Sequence, residues 1–423
     1  VPKSSQTWTK LATISVGLIG TVLVTQLVHF GVLTPVESLG VDFRFRHFSS
    51  ATDSGRISLV AIDDGSLASI GEWPWPRQYI AKIVDLIREL GGKFLVVDLI
   101  YSKPQVKPGG SLNEISPDDK SLADAFRRYG NVILSCHFSK LENERAVEAL
   151  TADITLSAEE LAERTRLPRD EISLRFPGIR RYASRRIAVH ALQEQPDLTE
   201  AQFLQNVLKG DWFSLTDTRR ELREAYGYAK AYRLISDRAG FVTHGPLPDD
   251  VMDFPPAGTM VVPIVPLAES AGDIGFVDFK GGADAKIRQV PTLAFYEGRV
   301  YCQLALASVV RYLGATADIE VTSDRLIRLS PSDRTIPPVD IPVNADGSVT
   351  IDWYYPVKDK WEKSFGDIIP AAKLLDVART REALEQNRLK LDKAIEQTIA
   401  RFMPLRYETY IKLRDRLESL ERA

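Results

Sequence analysis

The sequence predicts an α/β protein with an N-terminal transmembrane helix, a mostly parallel mixed sheet flanked by helices, a helical insertion and a long C-terminal helix. Three observations carry this expectation. No Asp, Glu, Lys or Arg occurs from Leu11 to Leu33. Between Ile57 and Leu134, short β-branched runs alternate with segments of helical period, the pattern of strands joined by helices. From about residue 140 to 240, and again from Ala371 onward, the chain is charged, helical in period and poor in strand signals.

The uncharged stretch comes first. At 1.5 Å per residue, its run of about 23 residues reaches roughly 34 Å, enough to cross a hydrocarbon core of about 30 Å. Gln26 and His29 are its polar exceptions. A cleaved signal peptide is the competing reading, but the run is long for one and no A-x-A site follows. Lys3 and Lys10 before the run balance Arg44 and Arg46 after it, so charge leaves the orientation undecided. Pro35 is expected to stop the helix.

Next, Ile57–Ile62 reads as a strand ending in the turn signal Asp63-Asp64-Gly65. Ile70–Arg77 is an aromatic loop with two prolines. In Tyr79–Leu90, Ile80, Ile83, Val84, Ile87 and Leu90 share one helical face, and Gly91-Gly92 ends the helix. Phe94–Val97 is a buried strand ending at Asp98. Together these form an expected βαβ unit. Leu122–Tyr129 and Asn131–Leu134 repeat the step from helix to strand.

The stretch from 140 to 240 reads as four or five helices, with capping boxes at Ser157-Ala-Glu-Glu160 and Thr199-Glu-Ala-Gln202. Strand character returns at Thr259–Val262. Gly275–Phe279, Gly281-Gly282 and Ile287–Val290 read as a hairpin, Tyr301–Leu313 as a helix, and Ile319–Val321 and Val349–Ile351 as short strands. In the closing helical stretch Leu384, Leu391, Ile395 and Phe402 can share a face. Pro404 breaks it, and Tyr410, Leu413, Leu417 and Leu420 repeat after the break. The domain boundaries that follow are 1–34 for the anchor, 35–140 and 241–370 for the two parts of one α/β domain, 141–240 for the insertion and 371–423 for the last helix.

Composition narrows the function. With 44% hydrophobic and 26% charged residues and a net charge of -3, the chain is ordinary globular protein, neither basic enough to demand nucleic acid nor biased enough for disorder. Cys136, in an expected strand, and Cys302, in an expected helix, make no disulfide framework and no zinc site, though one bridge stays open. The five histidines are scattered without metal-ligand spacing, so no metal and no cofactor is expected. Leu156–Ile172 has the outline of a helix-turn-helix followed by arginines, but capped helices with short turns commonly look so.

In open parallel sheets ligands bind beyond the carboxyl ends of strands. Asp63, Asp64 and Asp98 stand at such ends, on strands expected to be neighbours. Trp73, Trp75 and Arg77 lie in the loop leaving the same edge. These six are the candidate ligand-binding residues: carboxylates, aromatic walls and one guanidinium. The competing reading is that the aspartates cap turns and the tryptophans fill a core. Paired aspartates can also hold a metal or transfer phosphoryl groups, but no glycine-rich phosphate loop follows the first strand and no G-x-S-x-G occurs, so no catalytic residue is assigned.

Ser58–Ser102 resembles the second type of CHASE domain, an extracellular sensory domain of bacterial cyclases and kinases. The resemblance rests on Asp63, Ile70, Gly71, Trp73, Pro74, Trp75, Arg77 and Asp98, spaced as a strand ending in Asp, an I-G-x-W-P-W-x-R loop, a helix and a second strand ending in Asp. Asp119–Ala123, Gly130–Val132, Gly275–Val277, Arg288, Pro291, Val349–Pro356 and Ser364–Asp367 continue it more weakly. Asp284-Ala285 stands where the family has Asp-Gly. The resemblance covers about residues 40–140 and 255–370, and a chain beginning at Val1 and ending in a helix is expected to be a fragment.

The resemblance implies a sensor on the outer side of a bacterial inner membrane. Its lipid contact runs from Leu11 to Leu33, it is non-catalytic itself, and it meets an unknown small ligand or envelope protein. It is expected to be a homo-oligomer or part of a larger membrane complex, without nucleic acid. The alternative is a scaffold subunit of an envelope assembly.

Overall fold

In a computed structural model the described residues are 3–30, 32, 34–48, 56–105, 115–140, 144–208, 216–239, 257–279, 281, 284, 286–296, 299–314, 319–322, 326–344, 346–351 and 368–402. The chain forms two compact units, one of Val1–Leu59 with Ile351–Ile368, the other of Val60–Thr350 with Ile369–Ala423.

The first unit contains helices α1 (Lys3–His29) and α2 (Thr34–Phe48). Among the described residues no helix is long and apolar enough to cross a membrane, so the span expected over Leu11–Leu33 is not supported as such. The helix ends at His29, short of Leu33. Ser15, Gly17, Gly20, Thr21, Thr25 and Gln26 also dilute its apolar content. Pro35 does not stop a helix. It stands at the second residue of α2, where its missing N–H costs nothing and its fixed φ suits the first turn.

The second unit is built on a small sheet. Strand β2 (Leu95–Val97) lies parallel to β3 (Val132–Lys140), with Leu95 opposite Val132, and β3 lies parallel to β5 (Asp273–Phe276). The far half of β3 pairs antiparallel with β4 (Ala257–Val261). Helix α5 (Pro117–Tyr129) joins β2 to β3, giving one true βαβ unit. Side chains alternate across β3. Leu134 and Cys136 enter the large core with Leu122 and Phe126 of α5, while Ile133 enters a second core with Leu306, Ala307 and Val310 of α12 (Leu304–Tyr312). Gly275 lets α12 approach β5, because a Cβ there would stand 2.4 Å from Leu304 Cα.

Among the described residues of 144–239 the chain forms five helices: α6 (Glu144–Ala152), α7 (Ala158–Thr165), α8 (Arg169–Glu194), α9 (Glu200–Leu208) and α10 (Thr216–Ala239). Ser157 forms the predicted capping box with Glu160, and Thr199 bonds Gln202 as its own box predicts. Buried Leu150, Leu161, Ile172, Phe203 and Leu222 join these helices into the large core.

Several expectations change. Strand β1 (Leu59–Ala61) pairs with β13 (Ile368–Pro370), so it is not β2's hydrogen-bonded neighbour and the first expected βαβ unit does not form. Asp63-Asp64-Gly65 is not a free turn but the start of helix α3 (Asp64–Ile70).

The expected 275–290 hairpin is absent among the described pairings. β5 is paired to β3 on one side, and Phe276 bridges to Gln303 on the other, so β6 (Gln289–Pro291) instead pairs with β12 (Ser348–Thr350). The hairpin here is β7 (Leu293–Tyr296) with β8 (Arg299–Cys302). Cys302 therefore lies on a strand, and α12 starts only after Gln303, whose side chain accepts from Ala305 N. Cys136 and Cys302 are both free and buried, and β5 runs between their strands.

Helix α13 (Ala371–Phe402) leaves from α3 and α4 (Arg77–Glu89). Gly282, Ala285, Asp352–Pro356, Ser364–Asp367, Pro404, Tyr410, Leu413, Leu417 and Leu420 lie outside the described residues, as do the side chains of Leu391, Ile395 and Phe402.

Candidate functional site

The I-G-E-W-P-W-P-R segment links α3 to α4. Gly71 takes a left-handed φ of 121° as it ends α3, which a glycine adopts without strain. Its carbonyl accepts a hydrogen bond from Trp75 Nε1 at 2.8 Å. The Trp73–Pro74 bond is cis. Trp75 lies in the core at 2% exposure, and Trp73, at 41%, stands edge-on to it at 5.9 Å.

Arg77 opens α4 and is 8% exposed. Its guanidinium pairs with the Asp119 carboxylate, donates to the Lys103 carbonyl and lies 4.8 Å from the centre of the Tyr101 ring. Asp119 is fully buried. It also accepts from Gln105 N at 3.1 Å and from Ser116 N at 3.4 Å, while its own N–H bonds Ser116 Oγ at 3.0 Å. Gln105 closes the loop: its Oε1 accepts from Arg77 N at 2.8 Å and its Nε2 donates to the Trp75 carbonyl at 3.2 Å. Every charge taken from water here is thereby matched by an opposite charge or a donor, the condition for burying an ion pair. Burial pushes the Tyr101 phenol up, opposed by the charge of Arg77. The Tyr101 hydroxyl has no partner among the described residues.

The aspartates stand apart from this network. Asp63 caps α3, accepting from Ser66 N at 2.8 Å, and hydrogen bonds from Ser66 hold its carboxyl below the usual range. Asp64 is the first residue of α3 and is exposed. Asp98, also exposed, follows β2. Trp75 and Arg77 are therefore brought together as the clamp of the loop, Trp73 is set on its surface, and the aspartates belong to two strands that do not pair.

Sequence reasoning missed Asp119, Tyr101, Gln105 and Ser116 as Arg77's surroundings. Ser116-Pro-Asp-Asp119 carried a usable signal, since S-x-x-D before an apolar helix is a capping box. Nothing local marks Gln105 or Tyr101. Among the described residues no group of three or more His, Cys, Asp or Glu could hold a metal ion.

No curated protein and no solved structure matches the chain. The family model of the CHASE2 domain matches residues 18–395, nearly the whole chain, and the protein accordingly belongs to the CHASE2 family of extracellular sensory domains.

Proposed function

We propose that the chain is the extracytoplasmic sensory part of a membrane-anchored bacterial signalling protein, catalytically silent itself. Membership of a sensory family carries this reading. The anchor is supported by α1, where Ile14, Val16, Leu18, Ile19, Val22, Leu23 and Val24 are all exposed and surround the helix on every side. Large apolar side chains on every side of a helix are ordinarily covered by protein or by lipid. Two of its hydroxyls are satisfied within the helix: Thr21 donates to the Gly17 carbonyl at 2.9 Å and Thr25 to the Thr21 carbonyl at 2.8 Å.

Within the sensor we assign Asp63, Asp64, Asp98 and Trp73, all exposed, to ligand or partner contact, and Trp75 and Arg77 to holding the loop that presents Trp73. Ligand binding then acts by favouring one packing of the domain over another, limited by its differential affinity for the two.

Two measurements test this. A phosphatase reporter fused near residue 150 should be active outside the cytoplasm and resist carbonate extraction from membranes; a cytosolic reporter sinks the proposal. In the protein with its effector, Asp64→Asn with Asp98→Asn, both exposed and neither an N-cap, should abolish the response while the unfolding midpoint holds. An intact response removes the acids from the site and favours the scaffold reading, in which α6–α10 and α13 serve as docking surfaces.

A further inference from the structure

The helical segment holds a cationic and aromatic cluster that the sensory reading does not use. On α8, Arg181 and Arg185 are one turn apart and so lie on one side. The Arg185 guanidinium sits 4.5 Å from the centre of the Tyr228 ring on α10. Tyr228 donates its hydroxyl proton to the Met260 carbonyl at 2.7 Å, which fixes the ring. Tyr232, one turn along, stacks on it at 6.3 Å and 13° and meets Tyr296 edge-on at 5.8 Å. Tyr232 is buried in the core, while Tyr228 and Tyr296 are half-buried, and Phe138 lies 5.5 Å from Tyr296.

A guanidinium in this position ordinarily has a carboxylate partner. Among the described residues neither Arg185 nor Arg181 has one, and nearby acids are engaged elsewhere. Glu221 holds Arg180 at 2.7 Å, Glu171 lies 3.9 Å from Arg175, and Glu200 holds Arg223 at 2.6 Å. Burial, reinforced by the like charge of Arg181 and opposed by Tyr228, Tyr182 and Tyr296, holds the Arg185 guanidinium below the usual arginine range. The group is therefore desolvated, held over a ring and, among the described residues, without a carboxylate partner. Such an arrangement is complementary to a planar oxyanion attached to an apolar body.

We propose that Arg185, with Arg181 beside it and the half-buried Tyr228 and Tyr296 rings behind it, binds a small organic carboxylate. The carboxylate would take the guanidinium fork and the apolar part would lie along the rings. The site lies on α8 and α10, away from the tryptophan loop, and stands or falls independently of where the chain is located.

The test uses the full chain in detergent, with calorimetric titration and thermal unfolding at constant ionic strength, and with benzoate, acetate and inorganic phosphate as probes against chloride. Saturable binding of benzoate, weaker binding of acetate and none of phosphate are expected. Arg185→Met keeps the packed stem while removing the charge, and should weaken benzoate by about tenfold or more. Should that variant fail to fold, Arg185→Lys keeps the charge without the fork and should also bind about tenfold more weakly. Benzoate binding unchanged in the folded variant, no saturable binding of either carboxylate, or phosphate binding more tightly than benzoate would each overturn the proposal.

Discussion

At the scale of residues, Arg77 and Asp119 decide how the tryptophan loop is held. Their charges are withdrawn from water, and each relies on the other and on Gln105, Ser116 and the Lys103 carbonyl. Removing one partner strands the other. Arg77→Ala is expected to lower the free energy of unfolding by about 3–5 kcal/mol, read from the urea midpoint. The double change Arg77→Met with Asp119→Leu should recover most of that loss, because no charge is then left buried. A single variant as stable as the wild type would show that the pair is not the clamp. The sequence marked Arg77 and Trp75 through their spacing, yet it offered them as ligand contacts alongside the aspartates. Periodicity reports which face of an element is apolar, not whether a polar residue faces a ligand or a buried partner 42 positions away in the chain.

Elements were legible where the local pattern dominates. The face of Ile80, Ile83 and Val84 predicted α4, and all three are buried. The apolar run after Asn131 predicted β3. Reading failed where pairing decides. Tyr301-Cys302 fits the first turn of a helix, but it extends β7 into a hairpin because Leu293 and Cys302 are in register. Pro35 looked like a terminator and instead begins α2. Strands β10 (Leu326–Leu329) and β11 (Val339–Pro342), antiparallel through four residue pairs, were not foreseen, because their turn carries no two-residue hairpin signal.

The contact of β5 with α12 also belongs to this scale. Only a residue without a Cβ fits between β5 and the backbone of Leu304. Gly275→Ala should therefore cost about 1–3 kcal/mol through overpacking, measured by the same denaturation. A change under about 0.5 kcal/mol would mean that α12 can retreat at little expense.

For the whole molecule, the alternation of strands and helices was enough to predict the α/β class but not the order of strands. β1 was expected beside β2 and pairs instead with β13, more than 300 residues away. No local signal encodes such a partner, since loop-closure entropy grows only slowly with separation and distant segments pair nearly as readily as near ones.

That distant pairing sets the start of the last helix. Ala372 N donates to Ser66 Oγ on α3 at 3.1 Å, Lys82 and Arg381 bind Glu382 and Glu89 across α4 and α13 at 2.6 Å, and Arg379 covers the Tyr79 ring. The first three turns of α13 are thus bolted to the helix that Arg77 opens, while its 32 residues extend for about 48 Å. A rod fixed at one end magnifies small rotations at its mount. A tilt of about 5° in α4 would swing the far tip through roughly 4 Å over that length, on the order of the shifts by which helices ratchet past one another.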